Sequence, residues 1–243
     1  MSAVLAQMAH PDQLGDFLRA LGLSQGLAAA PFEIPLPKPL RKRRAYTVRV
    51  DLLDMKPPVW RRRVVASDLT MAQVHVVIQG AFGWYGSHLH CFALWSPERR
   101  MYLDQLLTRY DIEEEHEVAL AEADVQLSQV LRKLGDKVQY TYDFGDDWRH
   151  MVKLEKVAEW EPGAPLAHCV AGRRACPPED CGGPSGFEEF LRCAAATDWD
   201  ATEPQDEWEW TMAEFDPEEF DLDEVNDWLD SEEERGFSDH TPW

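Results

Sequence analysis

KVQYTYDFGDDWRHMVKL, residues 137–154, decides the fold. Val138, Tyr140 and Tyr142 alternate with polar neighbours, and Gly145, Asp146 and Asp147 then turn the chain. Trp148, His150, Val152 and Leu154 resume the alternation on the return. A period of two on both sides of an Asp/Gly turn predicts a half-buried antiparallel hairpin. The same period recurs upstream, where Tyr46, Val48, Val50 and Leu52 alternate with Thr47, Arg49 and Asp51. Pro57 and Pro58 interrupt that strand, and residues 59–65 resume as a second one carrying Arg61, Arg62 and Arg63. Thr70 and Gln73 have capping-box spacing and open a helix with Met71, Val74, Ile78 and Phe82 on one face. His75 lies beside that face and reads as a hydrogen-bonded packing residue. Residues 83–86 turn the chain into a strand expected over 88–95.

Further along, residues 126–134 read as a short helix stopped by Gly135. Ser185 with Glu188 reads as the start of a helix through Ala196. Asp221 with Glu224 opens another that holds Leu222, Val225, Trp228 and Leu229. Strands come in groups, with helices between and after them and no strict β-α-β alternation. The expected class is therefore α+β: a mixed, mostly antiparallel sheet packed with helices, as one compact domain preceded by an N-terminal helix and linker.

Three regions follow from composition. Residues 1–44 hold an amphipathic stretch over 11–23, then Pro31, Pro35, Pro37 and Pro39, then a basic run at Lys38 and residues 41–44. Residues 45–230 form the body with an acidic helical end, and 231–243 an acidic tail. Net charge is −21, and residues 198–243 carry 19 acids against Arg235 alone, which leaves the rest near neutral. Such a segment repels phosphate, so it reads as a solvated face or as cover for a basic patch. No run of about 18 apolar residues is present to span a membrane. Residues 1–23 lack the pattern of a secretory signal. Five cysteines in such a chain are expected as reduced thiols, which points to a cytoplasmic protein.

Several constellations bear chemistry. Residues 169–184, CVAGRRACPPEDCGGP, hold three thiols on a Pro/Gly-stiffened backbone that suits neither a regular helix nor a central strand. A shaped loop is expected there. Zinc is the first alternative to free thiols at Cys169, Cys176 and Cys181, with His168 adjacent; one Cys gap fits structural zinc spacing and the other does not. Glu179 and Asp180, inside this loop, join the candidate binding residues. His88 and His90 fall on one strand face, a geometry that suits a shared metal. Asp143, Asp146, Asp147 and His150 gather carboxylates and an imidazole around the hairpin turn. They serve turn chemistry, a polar or cation-binding site, or acid–base work. Phosphate-cradling loops, nucleophile elbows and dinucleotide fingerprints are all lacking, so no catalytic residue is assigned.

Taken together, YTVRVDLLD at 46–54, KPPVWRR at 56–62, HLH at 88–90, YTYDFGDDWRH at 140–150, ACPPEDCGG at 175–183 and FDPEEFDLDEVN at 215–226 resemble the plasmid pRiA4b ORF-3-like family. The resemblance covers about residues 45–229. It implies a compact α+β domain in a bacterial plasmid or mobile-element setting, including insertion-element passenger proteins, and no established reaction. Recombinase chemistry is not supported, because neither a serine among arginines near the start nor an Arg/His/Tyr set can be placed.

Three functions remain. The first is a non-catalytic accessory module that docks a protein partner. The second is a metal-dependent hydrolase or nuclease using His88, His90, Asp146, Asp147 and His150. The third is a nucleic-acid-associated protein with a basic patch at 41–44 and 61–63 shielded by the acidic tail.

Overall fold

The computed structural model describes residues 36–96, 101–107, 120–197, 207–235 and 237, all within the unit Ile34–Trp243. The helix expected over 11–23 lies outside the described residues. The strands are β1 (Arg44–Leu52), β2 (Trp60–Ala66), β3 (His90–Ser96), β4 (Met101–Leu107), β5 (Leu120–Ala121), β6 (Lys137–Tyr142), β7 (Trp148–Glu159) and β8 (Ala167–Arg173). Helices are α1 (Met71–Phe82), α2 (Leu127–Val130), α3 (Gly183–Ala196), α4 (Glu207–Glu214) and α5 (Leu222–Glu234).

The sheet runs β5-β4-β3-β6-β7-β1-β2-β8. Every pairing is antiparallel except the short β4–β5 contact, so the mixed, mostly antiparallel α+β class holds. The central hairpin pairs Tyr142 with Trp148 and Tyr140 with His150. Alternation puts Tyr46, Val48, Val50 and Leu52 of β1 inward beside Val138, Tyr140, Tyr142, Trp148, Val152 and Leu154. Helix α1 covers this layer with Met71, Val74, Ile78 and Phe82, all buried. Its capping box forms as expected: the Thr70 hydroxyl accepts from Gln73 N at 3.2 Å, and Gln73 Oε1 accepts from Thr70 N at 3.0 Å.

Helix α5 closes the sheet edge. Asp221 caps it, accepting from Asp223 N at 2.8 Å and Glu224 N at 3.0 Å. The Asn226 amide then acts as a stand-in strand for β8. Its Oδ1 accepts from Cys169 N at 2.7 Å and its Nδ2 donates to Cys169 O at 3.1 Å. Glu233 accepts from Leu166 N at 2.7 Å. An open edge is thereby paired, which removes a template for unwanted strand addition. Trp228 of the same helix lies against Gly80 of α1, where a Cβ would fall 1.8 Å from the indole ring.

Local expectations shift at four places. Strand β3 starts at His90 rather than His88, because Asp143 takes a left-handed φ of 54° and the β3–β6 ladder ends at His90 and Tyr142. Helix α2 is a single turn. The Asp136 carboxylate takes the N–H groups of Arg132 at 2.8 Å and Lys133 at 2.9 Å, which draws the chain out of the helix. The cysteine segment is not loop throughout, for its first residues complete the edge strand β8 and its prolines follow only after the strand has ended. Helix α3 starts at Gly183 with Gly182 as its cap, ahead of the expected Ser185. Pro184 fits the first turn, where a missing N–H costs nothing.

Candidate functional site

Three segments converge at one end of the sheet: the 83–89 loop after α1, the 143–147 turn between β6 and β7, and the 174–182 loop after β8. Main-chain and side-chain bonds lash them together. Trp84 Nε1 donates to Pro177 O at 2.9 Å. Glu179 accepts from Tyr85 N at 3.0 Å with one carboxylate oxygen and from the Tyr142 hydroxyl with the other. Asp146 Oδ2 accepts from Gly182 N at 3.1 Å. Asp143 N donates to Leu89 O at 2.8 Å, while its Oδ1 accepts from Gly145 N at 2.9 Å and Asp146 N at 3.3 Å. Gly183 completes the fit, since at φ 69° a Cβ there would stand 2.3 Å from Asp146 O.

His88 sits between two carboxylates. Its Nδ1 is 3.8 Å from Asp143 Oδ2 and its Nε2 is 3.1 Å from Asp180 Oδ1. Nε2 is shielded from solvent yet makes no hydrogen bond, so the alignment that such a bond needs is missing at Asp180. Tyr142 meets the imidazole edge-on, with ring centroids 5.7 Å apart. One donor atom from each of His88, Asp143 and Asp180 lies within 4.8 Å of the others, the one such group of three or more among the described residues. The same loops expose apolar side chains, with Tyr85 88% exposed, Phe144 52% and Leu89 42%.

The other candidates sit elsewhere. His90 is buried beneath the sheet, where Nε2 lies 3.0 Å from Glu122 and the ring stacks on His75 at 3.6 Å. His75 Nδ1 meets the Tyr140 hydroxyl at 2.7 Å, and Gln79 Nε2 donates to the same oxygen at 2.8 Å. Burial, with His90 adding to it, holds His75 well below the usual imidazole range. His150 packs edge-on against Phe82 and Trp84, and burial lowers it to about 3. Both His75 and His150 are therefore neutral packing groups near pH 7. Asp147 faces Arg149 at 3.3 Å, and Arg149 holds Asp54 at 2.8 Å. The set His88, His90, Asp146, Asp147 and His150 is thus spread over the core, the turn and the outer surface.

Nor do the thiols meet around a common point. Cys169 lies on β8 with Sγ 3.5 Å from Arg62 O, Cys176 accepts from Arg61 Nη2 at 2.8 Å, and Cys181 is buried beside the turn. Burial pushes Cys176 up to about 11 and Cys181 up to about 12, which keeps both protonated. The 61–63 half of the expected basic patch is not presented to solvent, whereas residues 41–43 are exposed. Arg61 and Arg63 are 3% and 0% exposed, and only Arg62 faces outward, paired with Glu155 at 2.7 Å. Arg61 donates to Ala81 O at 2.9 Å and lies 4.4 Å from the Phe220 ring. The period-two pattern carried this signal, because Val59, Arg61, Arg63 and Val65 share one strand face. Glu122, the buried partner of His90, gave no comparable signal, being 32 residues away in sequence.

A family model described as "plasmid pRiA4b ORF-3-like protein" matches residues 44–224. The chain belongs to that family. The pRiA4b ORF-3-like match contains every strand and all of α1 to α4, together with the three converging loops. A relative, "Uncharacterized protein y4hQ" of Sinorhizobium fredii, is 34% identical over 151 residues, covering 61% of this chain and 72% of that protein. The crystal structure of a protein of unknown function, MM3350 from Methanosarcina mazei Go1, shares the fold at 30% identity with a TM-score of 0.64. That comparison covers 76% of this chain and 98% of the MM3350 chain. No helix among the described residues is long and apolar enough to cross a membrane.

Proposed function

We propose that this pRiA4b ORF-3-like protein is a non-catalytic accessory module that docks a protein partner on its three-loop face. The observation that carries this reading is how the motif carboxylates spend their bonds. Glu179 and Asp146 satisfy backbone N–H groups of neighbouring loops, Glu179 also takes the Tyr142 hydroxyl of β6, and Asp143 Oδ1 satisfies amides of its own turn. Groups committed in this way fix a surface; they are not free to shuttle protons. What the braced loops present outward is apolar, with Tyr85, Phe144 and Leu89 exposed, and aromatic residues are the commonest anchors of protein interfaces. Asp180 and Asp147 lie on the same loops, with side chains 74% and 57% exposed. A partner with a basic surface that accepts aromatic side chains fits this chemistry.

The test is affinity capture from the native host with the full chain and with a Tyr85→Ala/Phe144→Ala variant, at low and high salt. Stoichiometric capture of one protein by the wild type, at least tenfold weaker with the variant and weaker in salt, supports the reading. An absence of any stoichiometric partner, or equal capture by the folded variant, overturns it.

A further inference from the structure

Most polar groups at the three-loop face have partners; the His88 centre does not. Its Nε2 is shut away from solvent without a hydrogen bond, 3.1 Å from Asp180 Oδ1. On the other side Asp143 Oδ2 stands 3.8 Å from Nδ1, beyond hydrogen-bonding distance. Asp143 spends Oδ1 on the turn amides and keeps Oδ2 for the imidazole side. Two carboxylates thus flank an imidazole at close range without bonding it.

We infer that His88, Asp143 and Asp180 form a binding site for a first-row divalent cation of the Zn2+ or Mn2+ class. Donors around such an ion, at roughly 2.0–2.2 Å from it, stand about 3.0–3.5 Å apart. One ring nitrogen and one oxygen of each aspartate lie within 4.8 Å of one another, so the longest separation has to shorten by at most roughly 1–2 Å to close the set. Asp180 is well placed to move, being 74% exposed on a loop, whereas the Asp143 side chain is only 14% exposed and fixed by its turn. One imidazole with two carboxylates favours transition ions that accept both nitrogen and oxygen, rather than Ca2+ or Mg2+, which prefer oxygen alone. The solvent side beyond Asp180 leaves the remaining coordination positions to water. The ion ties together the 83–89 loop, the β6–β7 turn and the 174–182 loop, each of which contributes one ligand. Cys181 lies outside the donor group and takes no part.

The rival arrangement is a plain ion pair in which a protonated His88 bridges the two aspartates and no metal binds. Cobalt(II) separates the two, because its visible spectrum also reports sulfur ligation. Metal-free, fully reduced wild-type protein is titrated with Co2+ and followed by absorbance and calorimetry, alongside His88→Gln, Asp180→Asn and, as a control imidazole on β8, His168→Gln. The site predicts one saturable equivalent, weak visible bands and no thiolate charge-transfer band. Affinity falls at least tenfold in His88→Gln and in Asp180→Asn and is unchanged in His168→Gln. Asp180→Asn is nearly isosteric at an exposed position, so it reports on ligation even if His88→Gln folds poorly. An absence of saturable Co2+ binding overturns the site, and so does a thiolate band or binding that survives both ligand substitutions. Partner capture is a separate measurement, so the failure of one claim is distinguishable from the failure of the other.

Discussion

Replacing Gly80 by alanine tests whether the acidic C-terminal helix is part of the body. In an isolated helix this change favours folding by about 1 kcal/mol. Here the new Cβ would lie 1.8 and 1.9 Å from two indole carbons of Trp228, about half a normal contact distance. Either the indole leaves its seat or α5 lifts from α1. Overpacking of this kind costs about 1–3 kcal/mol, and full loss of a buried Trp contact about 3–5 kcal/mol. The net expectation is a loss of about 2 kcal/mol, a fall of roughly 4–8 °C in melting temperature for a domain of this size. Urea denaturation and thermal melts followed by far-UV circular dichroism measure it. In a Trp228→Leu background the clash is relieved, and Gly80→Ala becomes neutral or stabilising by up to about 1 kcal/mol. A stabilising Gly80→Ala in the wild-type background would refute the α1–α5 contact, and so would an equal penalty in both backgrounds.

The buried imidazoles set an acid limit. His150 is held at about 3 by burial, so between an unfolded value of about 6.5 and that point the unfolded chain binds the extra proton. Stability therefore falls as pH drops below about 6.5, by about 1.4 kcal/mol per pH step from this residue, and His75 adds to the slope in the same direction. Urea midpoints at pH 5 and pH 7.5 check this, with a smaller difference expected in His150→Phe; a pH-independent midpoint contradicts it. Cys176 and Cys181, pushed up by burial to about 11 and about 12, should react with a thiol reagent at pH 8 far more slowly in the native protein than in urea. Equal rates in the two states would contradict that placement. Asp221→Ala should cost about 1 kcal/mol through loss of the α5 cap, read as a lower urea midpoint.

Much of the architecture was legible because short-range rules dominate there. The hairpin, β1, the Thr70 capping box and the Asp221 cap each rest on contacts within a few residues, where period and cap chemistry suffice. The misplacements came where a distant group decides. Asp136 reaches back to end α2, and Asn226 holds part of the cysteine segment as a strand from 57 residues away. The charge of Arg61 and Arg63 suggests a surface patch, whereas their period of two with Val59 and Val65 puts both on the inward face. Their burial depends on carbonyls of α1, namely Ala81 for Arg61 and Val77 for Arg63. Among the candidate residues, His88, Asp143 and Asp180 meet, whereas His90 turns inward once β3 begins at that residue. Sequence spacing could not separate His88 from His90, because the strand boundary falls between them.

Glu179 is the brace between the loops, and amide hydrogen exchange of a Glu179→Ala variant tests it directly. The brace predicts at least tenfold faster exchange at Tyr85 and through the 177–182 loop together, with sheet amides such as Val152 unchanged. Unaltered exchange in either loop, or uniform acceleration throughout the protein, would contradict it.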